Sequence, residues 1–138
     1  MNPFVVMFVG SMCIHIFLMP VVMIEKLADF RISLHQFYAA IYMASCMIIL
    51  ESFVHTLSWN GWVVVLCLLI ASLLGIRYQV GVMDTEYLHD MIPHHSMAVL
   101  TSRAILKKTN NVEVYTVAKQ ILDAQLSEIQ QMKTLTAY

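Results

Sequence analysis

WVVVLCLLIASLLGIRYQVGV, residues 62–82, carries a single charge, Arg77. A helix rises about 1.5 Å per residue, so a stretch of this length crosses the roughly 30 Å of hydrocarbon in a bilayer. Directly after it comes MDTEYLHD, where acidic residues and a histidine arrive together. The boundary at Val82 therefore divides a membrane region, residues 1–82, from a polar tail, residues 84–138.

Two more runs precede this one. Residues 4–24 hold His15 as their only ionisable group, and residues 37–54 are broken only by Glu51. Three transmembrane helices are predicted, at about 4–24, 37–54 and 62–82. Pro20 is acceptable in the first, because neighbouring membrane helices re-satisfy the carbonyl it frees. The first run lacks a basic leader and is long for a signal peptide, so it is expected to be retained. Composition agrees: 59% of the 138 residues are hydrophobic, 12% are charged, and mean hydropathy is +0.72, too apolar for an ordinary soluble domain. A net charge of −1 leaves no electrostatic footprint for nucleic acid. The four glycines form no phosphate-cradling motif. Cys13, Cys46 and Cys67 fall one per run, which suits packing and argues against disulfides.

The tail reads as two helices interrupted at Lys107-Lys108-Thr109-Asn110-Asn111. Asn110 is expected to cap the second helix, with Glu113 completing a capping box. On a helical wheel the apolar face of the first helix runs through Leu88, Met91, Ile92, His95, Val99, Ser102 and Leu106, with His94 on its flank. The second presents Val114, Val117, Ala118, Ile121, Gln125, Glu128, Ile129, Met132 and Leu135. Folded as an antiparallel hairpin about Asn110, His95 comes level with Gln125 and Glu128. Met91, His95, Gln125, Glu128 and Met132 are then expected in one layer, with His94 beside them. A carboxylate in such a layer needs a cationic, metal or hydrogen-bonding partner. Thioether and imidazole donors favour soft ions, copper(I) above all, although another transition metal would fit the same donors. Pro93 withholds an N–H from the His89 carbonyl and is expected to bend the helix just before the paired histidines. Two helices bury little surface, so the hairpin is expected to pair with a second copy or lean on the membrane region.

Tyr87-Leu88-x-x-Met91-Ile92-Pro93-His94-His95-x-x-Ala98, followed by Ile121-x-x-Ala124-Gln125-x-x-Glu128-Ile129-x-x-Met132, resembles the family called domain of unknown function 305. The resemblance covers essentially the whole tail. It implies a ferritin-like, all-α half-bundle and, as in some members, copper binding and tolerance through methionine and histidine. Carried onto this sequence, it points to Met91, His94, His95, Gln125, Glu128 and Met132 as metal ligands. Relatives with membrane helices often carry a basic loop between their second and third spans, whereas residues 55–61 hold neither lysine nor arginine. Lys26, Arg31 and Arg77 share one side with the tail, which the positive-inside rule makes cytoplasmic. The family analogy implies the periplasmic side of a bacterial inner membrane, so the side stays open.

Accessory donors lie elsewhere. Met97 is on the flank of His94. Met12, His15, Met19 and Met23 share a face of the first span, and Met43, Met47, Glu51 and His55 step along the second. An intramembrane Glu or His is costly and functional by default, while methionine also fills gaps between helices. The leading expectation is a membrane-anchored copper-binding protein without enzymatic activity. One alternative is an assembly module whose His-Glu-Gln layer only sets helix register. Another is a ferritin-like two-metal redox enzyme using Glu86-x-x-His89, although that pair lies across the helix from His95.

Overall fold

The computed structural model describes residues 2–136, and every regular element among them is helical. The chain forms two compact units. One takes the residues up to Met19 together with Ser33–Val82. The other takes Pro20–Ile32 together with the residues from Met83 onward. The second unit is thus larger than the tail expected from sequence, because it includes the end of the first apolar stretch, from Pro20, and the linker that follows it, residues 24–32.

Three helical stretches are long and apolar enough to cross a membrane: Pro3–Met23, Leu34–Glu51 and Trp59–Tyr78. Local chemistry sets their limits. α1 (Pro3–Cys13) starts behind Asn2, whose side chain accepts from the Phe4 N–H, with proline at the first helical position. α3 (Leu34–Glu51) and α4 (Trp59–Tyr78) start behind Ser33 and Ser58, which accept from the Gln36 and Gly61 N–H groups. Both therefore begin before the hydropathy runs do. α4 stops at Tyr78 rather than near residue 82, because Gln79 turns left-handed at φ 50° and its N–H caps the Gly75 carbonyl.

The first stretch is not uniform. Between α1 and α2 (Met19–Met23), residues Ile14–Leu18 form a π turn in which the Met19 N–H reaches back to the Ile14 carbonyl. Pro20 has no N–H to offer the carbonyl of Ile16, four residues earlier. The side-chain amide of Gln36, from α3, donates to that oxygen at 2.9 Å instead. A polar residue near the start of an apolar helix thereby closes the gap that a proline opens in another.

Small residues bring α3 and α4 together. Ala40, Ala44 and Ser45 of α3 and Ser72 and Gly75 of α4 are all buried. A Cβ at Gly75 would stand 2.9 Å from the Tyr38 ring, so only glycine admits that ring. Ser45 and Ser72 return their hydroxyls to their own helix, to Ile41 and Leu68 carbonyls, and present no unpaired donor.

In the second unit, α5 (Asp84–Leu106) runs continuously through Pro93 and opens with Asp84 and Glu86, favourable charges at a helix N-terminus. α6 (Val112–Leu135) packs along it. Their shared core is Ile92, Val99, Leu122, Ile129 and Met132, with Leu88, Met91 and Leu106 against it. The cap of α6 is Asn111, not Asn110: its side-chain oxygen accepts from both the Glu113 and Val114 N–H groups. Glu113 therefore sits one place too early to close a capping box.

Candidate functional site

The buried stripe of α6 passes through Ala118, Leu122, Ile129 and Met132. It is rotated from the expected face, since Val114, Val117 and Ile121 remain 40–53% exposed. One partner helix covers only part of a broad apolar surface, and Leu122 takes the covered position. The uncovered residues, with Ile105 and Ala118, line an open groove of about 490 Å³.

His95 and Glu128 meet across the two helices. His95 Nδ1 lies 3.0 Å from Glu128 Oε2. The nitrogen is itself buried, yet that approach lacks the alignment of a hydrogen bond, and Nδ1 has no other partner among the described residues. Gln125, one turn before Glu128, donates its side-chain N–H to the same carboxylate oxygen at 3.2 Å. The His95 ring is about one-fifth exposed and Glu128 about half, so this cluster is at the rim of the core with an opening to solvent.

The other expected ligands are placed differently. Met132 is buried in the apolar core one turn after Glu128, and Met91 packs on that core one turn before His95. His94 stands outside the cluster. Its ring is 54% exposed and its Nε2 lies 3.8 Å from Asp90, one turn earlier on the same helix. Met97 is partly buried. Of the donors in the apolar region, Glu51 and His55 approach to 3.4 Å, Met47 and His15 are partly buried, and Met19 is exposed. Among the described residues, no three His, Cys, Asp or Glu side chains come together closely enough to hold an ion by themselves. At His95 the described residues thus bring together one imidazole and one carboxylate, with Met91 and Met132 on the adjoining apolar core.

A second polar cluster was not anticipated from sequence. The linker 24–32 contains a 3₁₀ turn, Leu27–Asp29, and Asp29 is 4% exposed. The Ser96 hydroxyl of α5 donates to Asp29 Oδ2 at 2.7 Å and accepts from the Glu25 N–H at 2.9 Å. Lys133 of α6 pairs with Asp29 Oδ1, and Arg103 of α5 pairs with Glu25. Burial alone would raise the Asp29 carboxyl. Hydrogen bonds from Lys133 and Ser96, with the charges of Lys133 and Lys26, outweigh it and hold the group below the ordinary aspartate value. The available signal was slight: Ser96 and Arg103 lie seven residues apart beside the apolar stripe of α5.

Residues 76–137 match the family described as Domain of unknown function (DUF305). An uncharacterized protein of Acanthamoeba polyphaga mimivirus is 30% identical over 116 residues, covering 80% of this chain and 76% of that protein. An alignment of that length reaches well upstream of Ile76, into the apolar helices. No solved structure matches the chain.

Proposed function

This chain belongs to the family of Domain of unknown function (DUF305), and on that premise we propose that it is a membrane-anchored protein whose α5–α6 hairpin binds a soft cation, copper(I) by preference. The observation that carries this reading is the buried Nδ1 of His95, 3.0 Å from the Glu128 carboxylate and without an aligned partner. A ring nitrogen left without a hydrogen bond costs about 1–3 kcal/mol, and an ion accepting its lone pair removes that cost. His95 and Glu128 would be the donors nearest the ion. Met91 and Met132 would bring thioethers by turning out of the adjoining core, as flexible methionine side chains do readily. Gln125 orients the carboxylate, and His94 is an accessory donor at the outer flank. The ion would supply charge and coordination only, so the reading is one of binding, buffering or delivery.

Membrane anchoring is supported by three sufficiently long apolar helices and by their surfaces. Val5, Val9, Phe17, Leu18, Val64 and Ile70 are all more than half exposed, and lipid is the solvent that such surfaces fit. The groove beside Val117 supports pairing with a second copy, which would give the half-bundle a further layer. A carboxylate-bridged two-metal centre would need such a pair, since one chain's described residues hold no adequate donor group.

A second reading draws on the same cross-helix approach. His95 of α5 beside Glu128 of α6, with Gln125 bracing the carboxylate from within α6, also fits a polar layer that merely sets the register of the two helices. Competition between detergent-purified protein and a chromophoric copper(I) chelator separates the two. Loss of copper retention in His95→Ala supports the metal reading, and undiminished retention removes it.

A further inference from the structure

The linker 24–32 makes four polar contacts with the helix pair, through Glu25 and Asp29, and they reach both helices. Ser96 and Arg103 belong to α5 and Lys133 to α6. Asp29 touches both at once: one carboxylate oxygen accepts from Ser96 and the other from Lys133. The linker's own fold presents these groups. Arg31 donates to the Ala28 and Phe30 carbonyls, tying down the turn that carries Asp29. The Asp29 and Phe30 N–H groups close it on the Lys26 and Leu27 carbonyls.

We propose that the linker is an electrostatic latch: a strap that clasps α5 to α6 through Glu25 and Asp29 and swings free when those carboxylates are neutralised. The groups facing Asp29 are Ser96 from α5, Lys133 from α6 and Lys26 from the linker. Arg103 faces Glu25. Every charged partner is thus a cation, and Glu25 and Asp29 are the linker's two carboxylates that they hold. The core of Ile92, Val99, Leu122, Ile129 and Met132 is drawn from α5 and α6 only, and the linker's own buried apolar residue, Ile24, stands at its start. Release of Glu25 and Asp29 therefore leaves a folded pair with the strap beyond Ile24 free.

The test uses the full chain in detergent micelles and hydrogen exchange resolved over residues 24–30. The Glu25 amide, which donates to Ser96, reports the clasp directly. Protection of 24–30 should fall about tenfold or more in Asp29→Asn and in Glu25→Gln, while amides around Val99 and Ile129 keep theirs. The charge-reversed pair Glu25→Arg with Arg103→Glu should recover most of the protection that either single change loses. Unchanged exchange in both neutral variants overturns the latch. An equal loss throughout α5 and α6 also overturns it, because the linker would then be part of the core. Failure of the reversed pair to recover protection overturns its electrostatic basis. None of these outcomes depends on whether the chain binds copper.

Discussion

Glu128→Gln keeps the size and shape of the side chain and removes its charge. Glu128 is 47% exposed and its contact with His95 is unaligned, so without metal the loss resembles that of a surface pair, about 0–1 kcal/mol. A fully buried charged hydrogen bond would give about 1.5–3 kcal/mol, and the exposure rules that out. With copper(I) present the expectation changes. A carboxylate that ligates an ion, or orients the imidazole that does, is worth about 10–100-fold in affinity. Unfolding curves of the parent and the variant, each with and without copper(I), read both quantities in one series. The parent should gain stability from copper, and the variant should lose most of that gain while differing little in its absence. Equal stabilisation of both proteins by copper would refute the role given to Glu128. A loss above about 2 kcal/mol without metal would refute the description of its environment.

Acid should weaken the protein through Asp29. Its carboxyl is held below the usual value in the folded state, so its contribution is complete above the ordinary aspartate range and is lost as pH falls through the lowered folded value; denaturant titrations at pH 7 and at roughly pH 3 should show this, and Asp29→Asn should show it less. Gln36→Leu should cost about 0.5–2 kcal/mol by stranding the Ile16 carbonyl, and the cost should shrink when Pro20→Ala restores a backbone donor. A double-mutant cycle measures that coupling, and additive losses would contradict it. Asn111→Ala should destabilise α6 by about 1 kcal/mol, whereas Asn110→Ala should be nearly neutral in the same thermal unfolding assay. Val117→Asp, on the exposed wall of the groove, should shift the protein toward monomer in light scattering, with the helical content unchanged.

Much of this was legible in the amino-acid order because helices write their faces in periodic form. Runs of uncharged residues mark the three long apolar helices, and counting outward from the break at residues 108–111 brings His95 level with Glu128. What the order conceals is of two kinds. Caps are decided by single hydrogen bonds, so Asn111 rather than Asn110, or Gln79 rather than Val82, cannot be told apart by hydropathy. Rotation of a helix within a wide apolar surface is the other. Val114, Val117, Ile121 and Leu122 are equally good core candidates until a particular neighbour covers Leu122. His94 shows the same limit: next to His95 in sequence, it points about 100° away and meets Asp90 instead. Partnerships such as Asp29 with Lys133 join positions with no common period, and nothing in a helical wheel announces them.

The latch also orders events during synthesis. Glu25 precedes Arg103 by 78 positions and Asp29 precedes Lys133 by 104. At the usual pace of translation the second interval lasts roughly 5–20 seconds. Until Arg103 is made, the linker's two carboxylates have neither of these cations to pair with, and water is the medium that keeps them charged; Asp29 waits a further 30 residues for Lys133. The residues that become α3 and α4 emerge in the meantime. On the proposed membrane reading, a segment anchored to water by its own charges would resist following the first apolar helix into a bilayer. The carboxylates would thus serve twice, first as a brake on the entering chain and afterwards as the clasp that finishes it.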